Sequence, residues 1–209
     1  MQTKLNLLQM DALREVANIG AGHAAIAMSQ MLNKKIMIAV TRSDVIPSDR
    51  FLHNMVGKAR EPVVGVYLQT LGDIQGTVIF MFKKDSSLKF CDLMLLRRSG
   101  ETRFVDEKCQ SALKELGSIL TGAFFTVLSN MIEIQAFHKT PMFAFDDPET
   151  LVLGVCQEIF GDKKQRLCLA TEFIESSSKI TGAFAFVPTG EAMETILSKL
   201  KNKHKRSMI

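Results

Sequence analysis

A chain of 209 residues with 46% hydrophobic and 23% charged residues has the composition of a folded globular protein. It is long enough to bury a core without staples, and neither disorder nor a fibrous repeat fits it. The net charge of +4 is concentrated in the run Lys199 to Arg206, which leaves the body close to neutral; with no Trp and one Tyr, it offers little for stacking nucleic-acid bases.

No uninterrupted apolar stretch reaches the roughly 18 residues of a membrane span, and Met1 to Gln9 lacks the basic-then-apolar order of a signal peptide. A cytoplasmic chain with no nucleic-acid partner and no membrane insertion is expected. Cys91, Cys109, Cys156 and Cys168 lie far apart with no C-x-x-C, so reduced, mostly buried thiols are expected rather than a zinc site or a disulfide framework.

Taken in chain order, residues 9 to 32 have the periodicity of a long helix. Leu13, Ala17, Gly20, Ala24, Ala27 and Met31 gather on its inward side, with Asp11, Glu15, Asn18, Gly22 and Ser29 outward. Strands are predicted from Lys35 to Thr41, Val63 to Leu71 and Thr77 to Phe82, then a helix from Ser86 to Arg97. A second long helix places Leu113, Gly117, Leu120, Phe124, Val127 and Met131 inward and Ser111, Glu115, Ser118, Gly122 and Ser129 outward. Strands follow at Gln135 to Phe145, Gln165 to Glu172 and Ala183 to Val187, with a last helix from Gly190 to Lys201 and a basic tail, 199 to 209, expected to fray.

The order helix, strands, helix occurs twice because the chain repeats itself at an offset of 100 residues. The stretch from Asp11 to Gly22 lies over that from Ser111 to Gly122, with Ala, Leu, Glu, Ile and Gly recurring at matching places and Arg14 matched by Lys114. Later, Gly76 to Phe82 answers Gly182 to Pro188. The expected architecture is a single α+β domain, 1 to 209, made of two homologous halves of about 1 to 103 and 104 to 200. In it, two long helices pack on one face of a mainly antiparallel sheet with pseudo-twofold symmetry.

Glu15 and Asn18, three apart, share an exposed helix face with Asp11 one turn earlier. An isolated E-x-x-N is most simply a solvated face, but here the spacing recurs in the second half, where Ser118 replaces the amide, and small residues surround it. A carboxylate can pair with a partner's lysine. A carboxamide offers both a donor and an acceptor, which is what orienting an attacking water requires. Gly20, Gly22 and Ala25 also match the dinucleotide fingerprint G-x-G-x-x-A, with Asp44 beyond, but that fingerprint must follow a strand and open a helix. His23, His53 and His138 stand singly, and Ser29 and Ser129 lack the G-x-S-x-G setting of an activated nucleophile.

The two copies of this pattern resemble the CheC/CheX/FliY phosphatases of bacterial chemotaxis, whose motif is Asp or Ser, three residues, Glu, two residues, Asn, twenty-two residues, Pro. The first copy has Asp11, Glu15 and Asn18 but Thr41 at the proline place; the second has Ser111, Glu115 and Pro141 but Ser118 at the asparagine place. The resemblance implies a CheC-like fold and hydrolysis of the aspartyl phosphate of the response regulator CheY. Glu15 would pair with a regulator lysine, and Asn18 would orient the water. The Mg²⁺ would be supplied by the regulator, leaving no metal site or cofactor of the chain's own. Asp11, Ser111, Gly22 and Gly122 would belong to the regulator-docking face. The proline at the motif's end is expected to shape a loop beside the helix. Asp146 and Asp147, simplest as a turn, lie where such proteins meet the receptor deamidase CheD.

Ser118 has two fewer heavy atoms than asparagine and one hydroxyl, so the second copy is expected to dock a regulator but to be nearly inactive. The alternative is a CheC-like adaptor without useful catalysis, holding CheD, CheY or a flagellar switch component.

Overall fold

The computed structural model describes residues 7 to 32, 35, 38 to 47, 62 to 146, 167 to 175 and 179 to 206. Along the chain run α1 (Leu7–Leu32), β1 (Ile38–Pro47), β2 (Val63–Gly72), β3 (Gly76–Lys83), α2 (Lys84–Met94) and α3 (Glu107–Ile132), followed by β4 (Ala136–His138), β5 (Met142–Asp146), β6 (Leu167–Glu175), β7 (Ile180–Pro188) and α4 (Gly190–Arg206). The seven strands form one antiparallel sheet in the order β1-β6-β7-β3-β2-β4, with β5 pairing the other part of β2.

That order is a palindrome. The edge strand of the first half, β1, pairs with β6 of the second half, and the β4/β5 edge of the second half pairs with β2 of the first. At the centre, the repeated segments are neighbours: Gly76 lies opposite Pro188 and Phe82 opposite Gly182. Phe80 faces Phe184 across this midline with ring centroids 5.2 Å apart. Central strands flanked on both sides read as continuous apolar runs, and Ile79, Met81, Ala183, Ala185 and Val187 are buried as fully as Phe80 and Phe186.

The two long helices pack against each other and against the sheet. α1 lies over β1 and β6, and α3 over β2 and β4. Val64, Val66, Leu68, Val78, Phe80 and Phe82 join Leu13, Val16, Met28, Leu113, Leu120 and Phe124 in one core. The ring of Phe124 stands 4.9 Å from that of Phe184, and the ring of Phe125 stands 5.3 Å edge-on to that of Phe186. Two glycines set how closely these layers approach. A Cβ on Gly20 would lie 2.6 Å from Cδ2 of Phe124, and one on Gly117 would lie 2.8 Å from Cγ1 of Val66. Of the described helices, α3 has the length and hydropathy of a membrane span, but half of that window is buried inside the protein.

The structure corrects several expected boundaries. β1 continues to Pro47, so Thr41 is inside a strand, not in a loop at its end. The register of β1 against β6 shifts between Val40 and Arg42, which makes Thr41 the extra residue of a β-bulge. At the corresponding place of the other edge, Pro141 separates β4 from β5, so the predicted strand from Gln135 to Phe145 is two strands. A proline has no N–H to give to a ladder, and a bulge leaves one residue unpaired. The two edges are thus interrupted at matching places by different means. α2 stops at Met94 rather than Arg97, where Leu96 enters the left-handed region at φ 53°. The basic run expected to fray is helical as far as Arg206. Cys91 and Cys109 are buried free thiols, and burial, with Cys109 alongside, pushes the Cys91 thiol upward, away from reactivity. Cys156, His53, Asp147 and Ser207 to Ile209 lie outside the described residues.

Candidate functional site

Asp11, Glu15, Asn18 and Gly22 are all exposed on one face of α1. They are there because the opposite face is committed: Leu13, Val16, Gly20, Ala24 and Met28 are buried against α3 and the sheet. Asp11 is held by Arg14, Nη1 to Oδ1 3.6 Å, an exposed pair within one turn. Among the described residues, Glu15 has no hydrogen-bond or ion-pair partner. A Cβ on Gly22 would meet nothing within 4 Å, so the backbone beside Asn18 is open to an approaching surface. The glycines of the dinucleotide-like match sit in mid-helix, with helix from Leu7 onward directly before them, and the nucleotide-binding reading falls with that. Ser29 donates to the carbonyl of Ala25 at 2.8 Å, as a helix serine does.

On α3, Ser111 and Glu115 are exposed, whereas Ser118 and Gly122 are half-buried. The start of this helix is tightly braced. Asp106 caps it, accepting from the N–H of Cys109 at 2.7 Å, and Arg97 reaches both Asp106 and the hydroxyl of Thr102. Behind them the buried carboxylate of Asp92 accepts the N–H groups of Gly100 at 2.7 Å and Thr102 at 2.8 Å. Burial alone would push that carboxyl up, but these bonds, the Thr102 hydroxyl and Arg97 outweigh it and hold it below the usual range. Hydrogen bonds from Cys109, helped by Arg97, also lower Asp106.

An open cleft of about 820 Å³ runs beside this second motif, lined by Met31, Met94, Leu96, Glu107, Ser111 and Glu115. Met31 was expected inward but is 38% exposed, because the last turn of α1 passes the start of α3 and forms a wall of the cleft. Together with the contact of Gly20 on Phe124, this placement shows that α1 and α3 run antiparallel, so the two motifs sit toward opposite ends of one face. Asp146, at the exposed end of β5, and Pro141, between β4 and β5, belong to the sheet edge. Among the described residues no three His, Cys, Asp or Glu side chains gather as metal ligands.

Ile19 and Ile26 were missing from the expected outward face, yet they are 37% and 56% exposed beside Asn18 and Gly22. The signal was present, since both lie on the Glu15 side of a 100° wheel. Val16 and Met28, both buried, were equally absent from the expected inward set.

An open antiparallel sheet with a palindromic strand order, beneath two antiparallel helices that each carry an outward acid, defines a two-motif α+β protein built to present a helical face. The CheC-like family model matches residues 8 to 40, a segment that holds Asp11, Glu15 and Asn18 and ends one residue before Thr41. The chain is 35% identical over 144 residues to the CheY-P phosphatase CheC of Bacillus subtilis, the match covering 66% of each chain. It thus spans just under two thirds of that relative's length. Its fold matches the crystal structure of Thermotoga maritima FliY with a TM-score of 0.74 at 20% identity, covering 95% of this chain and 98% of that one. It also matches the CheX–CheY–BeF3–Mg complex from Borrelia burgdorferi with a TM-score of 0.53 at 16% identity, covering 82% of this chain and 97% of that one. In sequence the chain is similar to CheC, and its fold matches those of FliY and CheX.

Proposed function

We propose that the protein is a phosphatase acting on the aspartyl phosphate of a CheY-type response regulator through its first motif. The observation that carries this reading is the placing, on one exposed turn of α1, of the Glu15 carboxylate beside the Asn18 amide, inside the segment that matches the CheC-like family. Glu15 pairs with a lysine of the regulator and fixes the helix over the phosphorylated aspartate. Asn18 accepts a hydrogen bond from a water molecule and sets it in line with the phosphorus. The water oxygen bonds to phosphorus, the acyl P–O bond breaks, and the aspartate leaves as carboxylate while the proton passes to the released phosphate or solvent. Mg²⁺ held by the regulator would neutralise charge on the phosphoryl group, and Glu15 and Asn18 contribute positioning.

A second reading, an adaptor that binds without hydrolysis, is favoured at the second motif by Ser118, which is half-buried and lacks the amide. In that reading the partners are the regulator, a flagellar switch component, or CheD through the sheet edge at Asp146. Dephosphorylation of the regulator measured with and without the protein separates the two. The phosphatase accelerates phosphate release, with activity lost in Asn18→Ala and kept in Ser118→Ala. An adaptor binds and leaves the rate unchanged. Greater loss in the Ser118 variant would show that the motifs were assigned the wrong way round.

A further inference from the structure

Resting on the regulator reading of the first motif, we infer that Ile19 and Ile26 form the apolar half of its docking face. They would bind a nonpolar surface of the regulator that runs from beside the phosphorylated aspartate, at Ile19, to about 12 Å from it, at Ile26.

At 100° per residue, Glu15, Ile19, Gly22 and Ile26 fall along one stripe of α1, with Asn18 at its border. Everything described on that stripe is open to solvent: Glu15 and Gly22 are exposed, Ile19 is 37% and Ile26 56% exposed. Nothing in the fold requires isoleucine there, since both side chains point away from the core that Leu13, Val16 and Met28 fill. Between them, Gly22 has no Cβ to hold a partner off, and its surroundings are empty to 4 Å. The stripe therefore reads as an acid, an amide and Ile19 at one end, a flat backbone at Gly22 in the middle, and Ile26 at the other end.

The second copy supplies the internal control. At the place of Ile26 it has the exposed Thr126, whose hydroxyl is spent on the carbonyl of Gly122 at 2.8 Å, and Ile119 is half-buried. The counterpart of Ile26 is absent from the copy that also lacks the amide. Because α1 and α3 are antiparallel, Ile26 lies level with Ser118, so a regulator seated on Glu15, Asn18 and Ile26 also covers the second motif. One chain then holds one regulator at a time.

The test uses the full chain and beryllofluoride-activated regulator in a binding titration, with steady-state hydrolysis of the phosphorylated regulator alongside. Ile26→Thr, which imports the residue of the second copy, should weaken binding about tenfold and raise KM by a similar factor, with kcat changed less than twofold and the thermal midpoint unaltered. Ile19→Thr should act in the same direction by a smaller factor, and wild type should bind one regulator per chain. Unchanged binding in Ile26→Thr, a fall in kcat at constant KM, or two regulators per chain would each overturn the inference. If wild type binds without accelerating phosphate release, the hydrolysis reading fails while the affinities still decide the docking face. If wild type does not bind the regulator, both fail.

Discussion

The helix faces of α1 and α3 carry the two copies of one sequence pattern, yet they are finished differently. On α1 the acid, the amide and two isoleucines stand exposed around an open glycine; on α3 the acid stands beside an apolar cleft, and the amide is replaced by a half-buried serine. The frame beneath is shared, so the contrast isolates what one side chain contributes. If a positioned amide is the catalytic element, Asn18→Ala should lower kcat by about a hundredfold or more, the scale of losing one preorganised hydrogen bond in the transition state. Ser118→Ala should change it less than twofold. Equal effects at the two positions, read by phosphate release from the regulator, would erase the distinction between the motifs.

The helices also differ in where they need glycine, and this difference is about stability. Gly117 is where α3 comes down on Val66, and a Cβ there would overlap Cγ1 at 2.8 Å, whereas Gly22 is surrounded by open space. Gly117→Ala should therefore cost about 1 to 3 kcal/mol, the usual penalty for overpacking a filled core. Gly22→Ala should gain a few tenths to about 1 kcal/mol from helix propensity. Denaturant midpoints would measure both. A neutral Gly117→Ala would mean that the β2 side of the core yields to the helix, and the contrast with Gly22 would weaken.

A smaller effect should accompany the acid of the first motif. Glu15→Gln keeps shape and removes charge, and a pairing with a regulator lysine predicts about a tenfold lower kcat/KM that fades as salt is raised. The same change at Glu115 should leave hydrolysis within twofold. A salt-insensitive loss at Glu15 would argue against an ion pair.

Much of this was legible in the sequence because periodicity and repetition report burial directly. The sides assigned to Leu13, Gly20, Leu113 and Phe124 follow from a 3.6-residue period, and the two-half architecture from the offset of 100 residues. What was not legible depended on neighbours distant in sequence. That β1 and β6 pair across the halves, and that Thr41 is a bulge residue, requires knowing which strand lies alongside. Met31 has the sequence pattern of a core residue, and only the crossing of the helices turns it into a cleft wall. The exposed isoleucines were readable from the wheel but hidden by the habit of assigning apolar residues inward.

The least of the expected effects concerns the brace behind the second motif, which α1 does not share among the described residues. Asp92 and Asp106 both titrate below the ordinary carboxylate range when folded, so they bind protons more readily in the unfolded chain. Their contribution to stability is therefore fully present above about pH 4 and is lost as pH falls through their lowered folded values. Asp92→Asn keeps one acceptor oxygen for Gly100 or Thr102 but removes the titration. The thermal midpoint of wild type should fall more steeply than that of Asp92→Asn between about pH 5 and pH 3, so that the gap between the two proteins narrows on acidification. Parallel curves would mean that the charge of Asp92 does not hold the loop bearing Leu96. The rigidity separating the second motif from the first would then come from packing alone.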